Sequence, residues 1–135
     1  MRQVVGYSLW LGHVGDVQHL PNVLSAGILA IVDLALDELP LPRELVHCRF
    51  PLIDGSGNPR WLLQAAVATV VCLVRSETPT LLYCGAGMSR TPAVAGAAIA
   101  VVRGCSPEEG LSVATRSGAA DVSPALWSEL RAAIA

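Results

Sequence analysis

The stretch Leu81-Leu82-Tyr83-Cys84-Gly85-Ala86-Gly87-Met88-Ser89-Arg90-Thr91-Pro92 decides how this chain is read. The apolar run ahead of Cys84, from Thr80 to Tyr83 after Pro79, reads as a strand. Thr91-Pro92 reads as the opening of a helix, where proline's missing N–H costs little. A strand thus delivers a cysteine to its C-terminal end, a short loop follows, and a helix begins near Arg90. Gly85 and Gly87 relax the steric limits on so tight a turn. The backbone N–H groups of Gly85, Ala86, Gly87, Met88, Ser89 and Arg90 are expected to point inward. With the unsatisfied amides and positive dipole end of the helix they would form an anion cradle. Arg90 adds a planar, bidentate clamp for two phosphate oxygens. A thiol beside a helix N-terminus and a guanidinium ionises more readily, and the thiolate is a nucleophile. The expected chemistry is attack of Cys84 on phosphorus, giving a covalent thiophosphate that water hydrolyses. The loop amides and Arg90 would hold the equatorial oxygens meanwhile. Thr91 is read as the hydroxyl that helps the sulfur leave in the second step.

Such a reaction also needs an acid for the leaving oxygen. Leu45 to Ile53 alternates, with Val46, Cys48 and Phe50 on one side and His47 and Arg49 on the other. This is a strand pattern, and it runs into the turn signal Asp54-Gly55-Ser56-Gly57-Asn58-Pro59. Asp54 is therefore the chosen acid, a carboxyl on a mobile loop at a sheet edge. Asp33 and Asp37 end a different strand and are weaker candidates. Arg49 and Arg60 flank the loop and are candidates for lining the substrate entrance.

Further out, Val4 to Leu11 is β-rich, Val17 to Ala26 suits a short helix closed by Gly27, and Ile28 to Leu34 suits a strand covered on both faces. Trp61 to Val74 reads as an apolar helix. Ser106 to Glu109 has a capping-box pattern, with Gly118 as the stop, and Ser123-Pro124 opens a last helix to about Ile134. The succession predicts one α/β domain over residues 1–135, a central mixed or parallel sheet flanked by helices. The composition agrees: hydrophobic residues make up 53% and charged residues 15%, the opposite of a disordered chain.

The net charge is −2 and every one of the nine basic residues is arginine. No overall field draws nucleic acid or an anionic membrane, and the longest apolar runs are too short to span a bilayer. The four cysteines, Cys48, Cys72, Cys84 and Cys105, fit neither a zinc site nor a disulfide framework. Met1 to Gly6 lacks the apolar stretch of a signal peptide. A reducing, cytoplasmic setting, a monomer, and no metal or cofactor are the expectations. Cys48, Cys72 and Cys105 read as buried apolar residues, with Cys48 the nearest candidate for a disulfide to Cys84. His13, His19 and His47 show no ligand spacing. Trp61 and Trp127 read as packing residues.

Cys84-x-x-Gly87-x-x-Arg90-Thr91 resembles the signature loop of the dual-specificity, cysteine-based protein phosphatases. The resemblance extends over most of the chain. Leu9-Trp10-Leu11-Gly12 resembles that family's opening strand and turn, Gly27 to Leu34 its next strand, and Phe50-Pro51-Leu52-Ile53-Asp54 the segment that ends in its general acid. It implies a protein-tyrosine-phosphatase-like fold and turnover of phosphotyrosine, phosphoserine or phosphothreonine in proteins, or of small phosphomonoesters. It also implies Cys84 as nucleophile, Arg90 as clamp, Asp54 as acid and Thr91 as the hydroxyl beside the sulfur. One position departs: the family usually places a histidine where this chain has Tyr83. A tyrosine hydroxyl offers a comparable hydrogen bond there. The variable loop positions are neutral, which disfavours a highly charged inositol phosphate.

Two other readings start from the same loop. One is a phosphate-binding module that does not turn over, motivated by Tyr83. The other is a rhodanese-like sulfurtransferase, which also sets a cysteine in a strand-to-helix anion loop. The Arg90-Thr91 pair and the Asp54 segment disfavour the latter.

Overall fold

The computed structural model describes residues 1–36 and 45–135; Asp37 lies outside the described residues. The first three strands are β1 (Arg2–Gln3), β2 (Leu9–His13) and β3 (Ala30–Asp33). They are followed by β4 (Val46–Arg49) and β5 (Thr80–Cys84). The five form one sheet in the order β1-β2-β5-β3-β4. Only β1 is antiparallel to its neighbour. The last strand in sequence is thus the middle strand in space. Every residue of β5 is buried, as its unbroken apolar run predicts. The crevice beyond the carboxyl ends of such central strands is where open α/β sheets bind ligands.

Alternation along β5 sends successive side chains to opposite faces. Leu82 and Cys84 join the larger core with Leu9, Leu11 and Val32. That core is covered by α3 (Arg60–Arg75), α4 (Arg90–Arg103) and α6 (Pro124–Ile134). Leu81 and Tyr83 face a smaller core with Ile31, Val17 and Val23. It lies under the short helices α1 (Val14–Val17) and α2 (Leu20–Ser25). Helix α4 runs through the middle, buried from Thr91 to Ala100. Its small residues let α5 (Pro107–Thr115) approach closely. A Cβ on Gly96 would sit 2.7 Å from the Leu111 backbone, and one on Gly110 would strike the Gly96 carbonyl.

Several expected elements are shorter than read. Val4 to Ser8 is not strand but a turn closed by Tyr7 N–H to Val4 O at 3.1 Å. The helix expected over Val17 to Ala26 is divided between α1 and α2, because Pro21 cannot donate to a continuous helix. Strand β4 stops before Pro51, which lacks the N–H a ladder needs. Cys48 and Phe50 pack on the larger core while His47 and Arg49 turn the other way, as the alternation predicts. Ser106 caps α5 by accepting from Glu109 N at 3.2 Å, and α5 ends three residues before Gly118. Two side-chain expectations are corrected. Trp61 is 68% exposed rather than packed, because it falls on the outer side of α3; Trp127 does pack on the core. Cys72, on the same helix, is exposed rather than buried.

Candidate active site

Cys84 ends β5 and is 2% exposed. The chain then doubles back so that the Gly87 N–H donates to Cys84 Sγ at 3.2 Å. Gly87 allows this turn at φ +74°, a conformation costly for other residues. It also lies so close to β2 that a Cβ there would be 2.9 Å from the Gly12 carbonyl oxygen. The loop is pinned at both ends. Val14 N–H donates to Gly85 O at 3.3 Å, and Asp121 N–H donates to Met88 O at 2.7 Å.

Ser89 occupies the N-cap position of α4, yet its side chain makes no cap hydrogen bond. A serine there ordinarily satisfies one of the first helix amides. Here those amides are left to the loop, which suits an anion at the helix start. The Arg90 guanidinium folds back over the loop. It donates to Leu52 O at 3.2 Å and Leu34 O at 3.5 Å. A Cβ on Gly85 would lie 3.1 Å from its other terminal nitrogen. Thr91 is fully buried and donates to Gly12 O at 3.4 Å, so its hydroxyl is engaged with β2.

Asp54 comes to this loop from 35 residues before Ser89, accepting from Ser89 Oγ at 2.5 Å. The turn that carries it is built around Asn58. That side chain accepts from Ile53 N at 2.8 Å and donates to Ile53 O at 2.9 Å and Gly55 O at 3.2 Å. Glu129 of α6 accepts from Gly57 N at 2.7 Å and Asn58 N at 3.3 Å. The sequence suggests a mobile acid loop; these bonds describe one that is held from inside and from outside.

Asp33, the alternative acid, is fully buried on the opposite face. It stands in register with Tyr83 on one side and Arg49 on the other. Asp33 Oδ2 lies 3.4 Å from His47 Nε2 and 3.9 Å from Arg49 Nε. Arg49 also donates to the Ala35 and Leu36 carbonyls. It therefore belongs to the sheet's buried polar row rather than to a substrate entrance, whereas Arg60 is exposed at the start of α3. Tyr83 Oη has no hydrogen-bond partner among the described residues. The hydroxyl thus does not supply the loop contact expected of it. Burial, and then the Asp33 carboxylate beside it, push the phenol well above its ordinary pKa.

His13 caps α1, accepting from Gly15 N at 3.0 Å while Asp16 accepts from His13 N at 2.9 Å. A disulfide between Cys48 and Cys84 does not fit this geometry. Cys48 pairs with Val32, and Val32 with Leu82. The two cysteines are therefore two strands and two residues apart, beyond the ~7 Å Cα limit for a disulfide. The chain's cysteines are free thiols. Two surface hollows, of ≈ 580 and ≈ 720 Å³, lie around the end of α6 and include no residue of the Cys84 loop.

No family model and no curated protein matches the sequence. Solved structures do match the fold. Human DUSP28 superposes with a TM-score of 0.86 at 23% identity, over 99% of this chain and 95% of its own. DUSP15 gives 0.81 at 19% identity, over 97% and 85%. The human tyrosine phosphatase-like serine/threonine/tyrosine-interacting protein gives 0.84 at 15% identity, over 98% and 93%. The resemblance read from the loop and the similarity of the whole backbone therefore agree, and this chain has the fold of the dual-specificity phosphatases.

Proposed function

We propose that this protein is a cysteine-dependent phosphomonoester hydrolase of the dual-specificity protein phosphatase type, acting on phosphotyrosine or phosphoserine/threonine. The observation that carries the reading is the meeting of Cys84, Arg90 and Asp54 around one turn whose Gly87 amide points at the sulfur. In the first step the Cys84 thiolate attacks phosphorus and the bond to the leaving oxygen breaks. The Asp54 carboxyl gives its proton to that oxygen. In the second step Asp54, now a carboxylate, takes a proton from water. The oxygen attacks phosphorus and the P–S bond breaks, returning inorganic phosphate and the thiolate. Thr91 is assigned to the departing sulfur, a role that requires its hydroxyl to rotate from Gly12 O. Arg90 and the loop amides hold the equatorial oxygens throughout, so the reaction needs no metal. The working form is taken to be a cytoplasmic monomer.

The test is hydrolysis of a small aryl phosphate and a phosphopeptide panel in chelator, with and without vanadate. Vanadate-sensitive turnover that disappears in Cys84→Ser supports the reading; equal rates for wild type and Cys84→Ser overturn it. The orphaned Tyr83 hydroxyl favours a second reading, a phosphate-binding module without turnover. It predicts phosphopeptide binding with no burst of product and no trapped thiophosphate.

A further inference from the structure

Ser89 has the side chain and the position of a helix cap, but it does not cap. Its oxygen accepts instead from the Ser123 N–H at 2.8 Å. Its only proton is then directed to Asp54 Oδ1 at 2.5 Å. Ser89 is 7% exposed, so water offers little alternative to these two partners.

The direction of this chain of bonds has a chemical consequence. A backbone N–H only donates, so Ser123 obliges the Ser89 oxygen to accept. A second lone pair stays free, but Asp54 Oδ1 is the other partner of Ser89 Oγ among the described residues, so the buried Ser89 proton is paired when Oδ1 accepts it. A protonated Asp54 therefore carries its proton on Oδ2. Resting on the phosphatase reading above, we infer that Ser89 is a positioning residue that selects which carboxyl oxygen of Asp54 delivers the proton to the leaving group. Ser123, at the start of α6, sets the direction of the Ser89 hydroxyl. Glu129, two turns along the same helix, holds the acid loop from behind through Gly57 and Asn58. Neither α6 residue touches the reacting atoms; the helix acts through Ser89 and the loop backbone.

Proton delivery matters most when the leaving group is a poor one. An aryl oxide departs with little help, while an alkoxide needs its proton in the transition state. A defect confined to the acid's orientation therefore has a signature that a defect in phosphate binding lacks.

The experiment compares kcat and KM for an aryl and an alkyl phosphate in wild type, Ser89→Ala and Ser89→Thr, with inhibition by inorganic phosphate measured alongside. In Ser89→Ala the alkyl kcat should fall roughly 10-fold or more, the scale of a misplaced catalytic group, while the aryl kcat falls much less. Ser89→Thr keeps a hydroxyl and should restore much of the alkyl rate. Equal losses on both esters in Ser89→Ala, or a rise only in KM and in the phosphate inhibition constant, would overturn the positioning role and leave the phosphatase reading standing. A wild-type protein that cleaves neither ester removes both.

Discussion

Tyr83 and Cys84 are consecutive residues of one buried strand, yet they meet opposite kinds of surroundings. On the Cys84 face the polar side chains have partners. The thiol takes the Gly87 amide, Ser89 bridges Ser123 to Asp54, and Arg90 rests on two carbonyls. On the Tyr83 face the phenol oxygen, Asp33 Oδ2 and Arg49 Nε are all buried without a hydrogen-bond partner among the described residues. Unpaired buried polar groups cost about 1–3 kcal/mol each. One face is a satisfied network suited to chemistry, the other a row of charges whose attraction has to offset its desolvation. A strand separates two such environments because its side-chain period is two.

The largest effect that tests this contrast is expected from Cys84→Ser. Loss of the nucleophile should lower turnover by roughly 10⁴-fold or more while thermal stability stays close to wild type. Activity assays beside a melting curve check both halves. Next comes Asp54→Ala, which should cost about 10²-fold on an alkyl phosphate and clearly less on an aryl one, read as a ratio of kcat values. Gly87→Ala should follow. It forces a β-carbon into a left-handed turn and against Gly12, and should lower both turnover and melting temperature, with about 1–3 kcal/mol of strain.

The smallest effect belongs to the other face. Tyr83→Phe removes a buried hydroxyl that lies beside the Asp33 carboxylate without a well-formed hydrogen bond, and should change stability at neutral pH by no more than about 1 kcal/mol. Its pH dependence is more telling. The folded-state pKa of Tyr83 is raised, so its contribution is fully present below the unfolded value of about 10. It is lost as pH rises beyond that, because the unfolded phenol ionises while the folded one resists. Denaturant melts above pH 10 should therefore fall less steeply for Tyr83→Phe than for wild type. Identical slopes would remove the assignment.

Much of this was legible in the sequence where a residue's neighbours along the chain determine its role. The run from Thr80 to Tyr83, the helix α3 and the proline-led start of α6 carry their own period or punctuation, and all three are present. The Cys84 loop is equally local, and its glycines and helix start fall where the spacing puts them. What was not legible depends on partners far away. Ser89 looks like a cap; only the approach of Ser123, 34 residues on, turns its hydroxyl toward Asp54. Glu129 looks like a surface acid on a helix, and nothing in one sequence announces that it holds Gly57, 72 residues earlier. Arg49 flanks the Asp54 loop in sequence, but what its side chain meets is set by Asp33 on the neighbouring strand. Trp61 and Cys72 face outward although their helix is strongly apolar, because such a pattern does not mark which side meets solvent.

The three hydrogen bonds that tie Ser123 and Glu129 to the Cys84 and Asp54 loops also set an order of events during synthesis. When Arg90 has been made, Cys84, Arg90 and Asp54 are all present in the nascent chain. The residues that orient them, Ser123 and Glu129, are not. At about 5–20 residues per second, translation needs a further few seconds to supply them. On the phosphatase reading, a nascent chain in that interval holds the thiol without the framework that aims its acid, so catalytic competence waits for α6, which is made after the loop it serves.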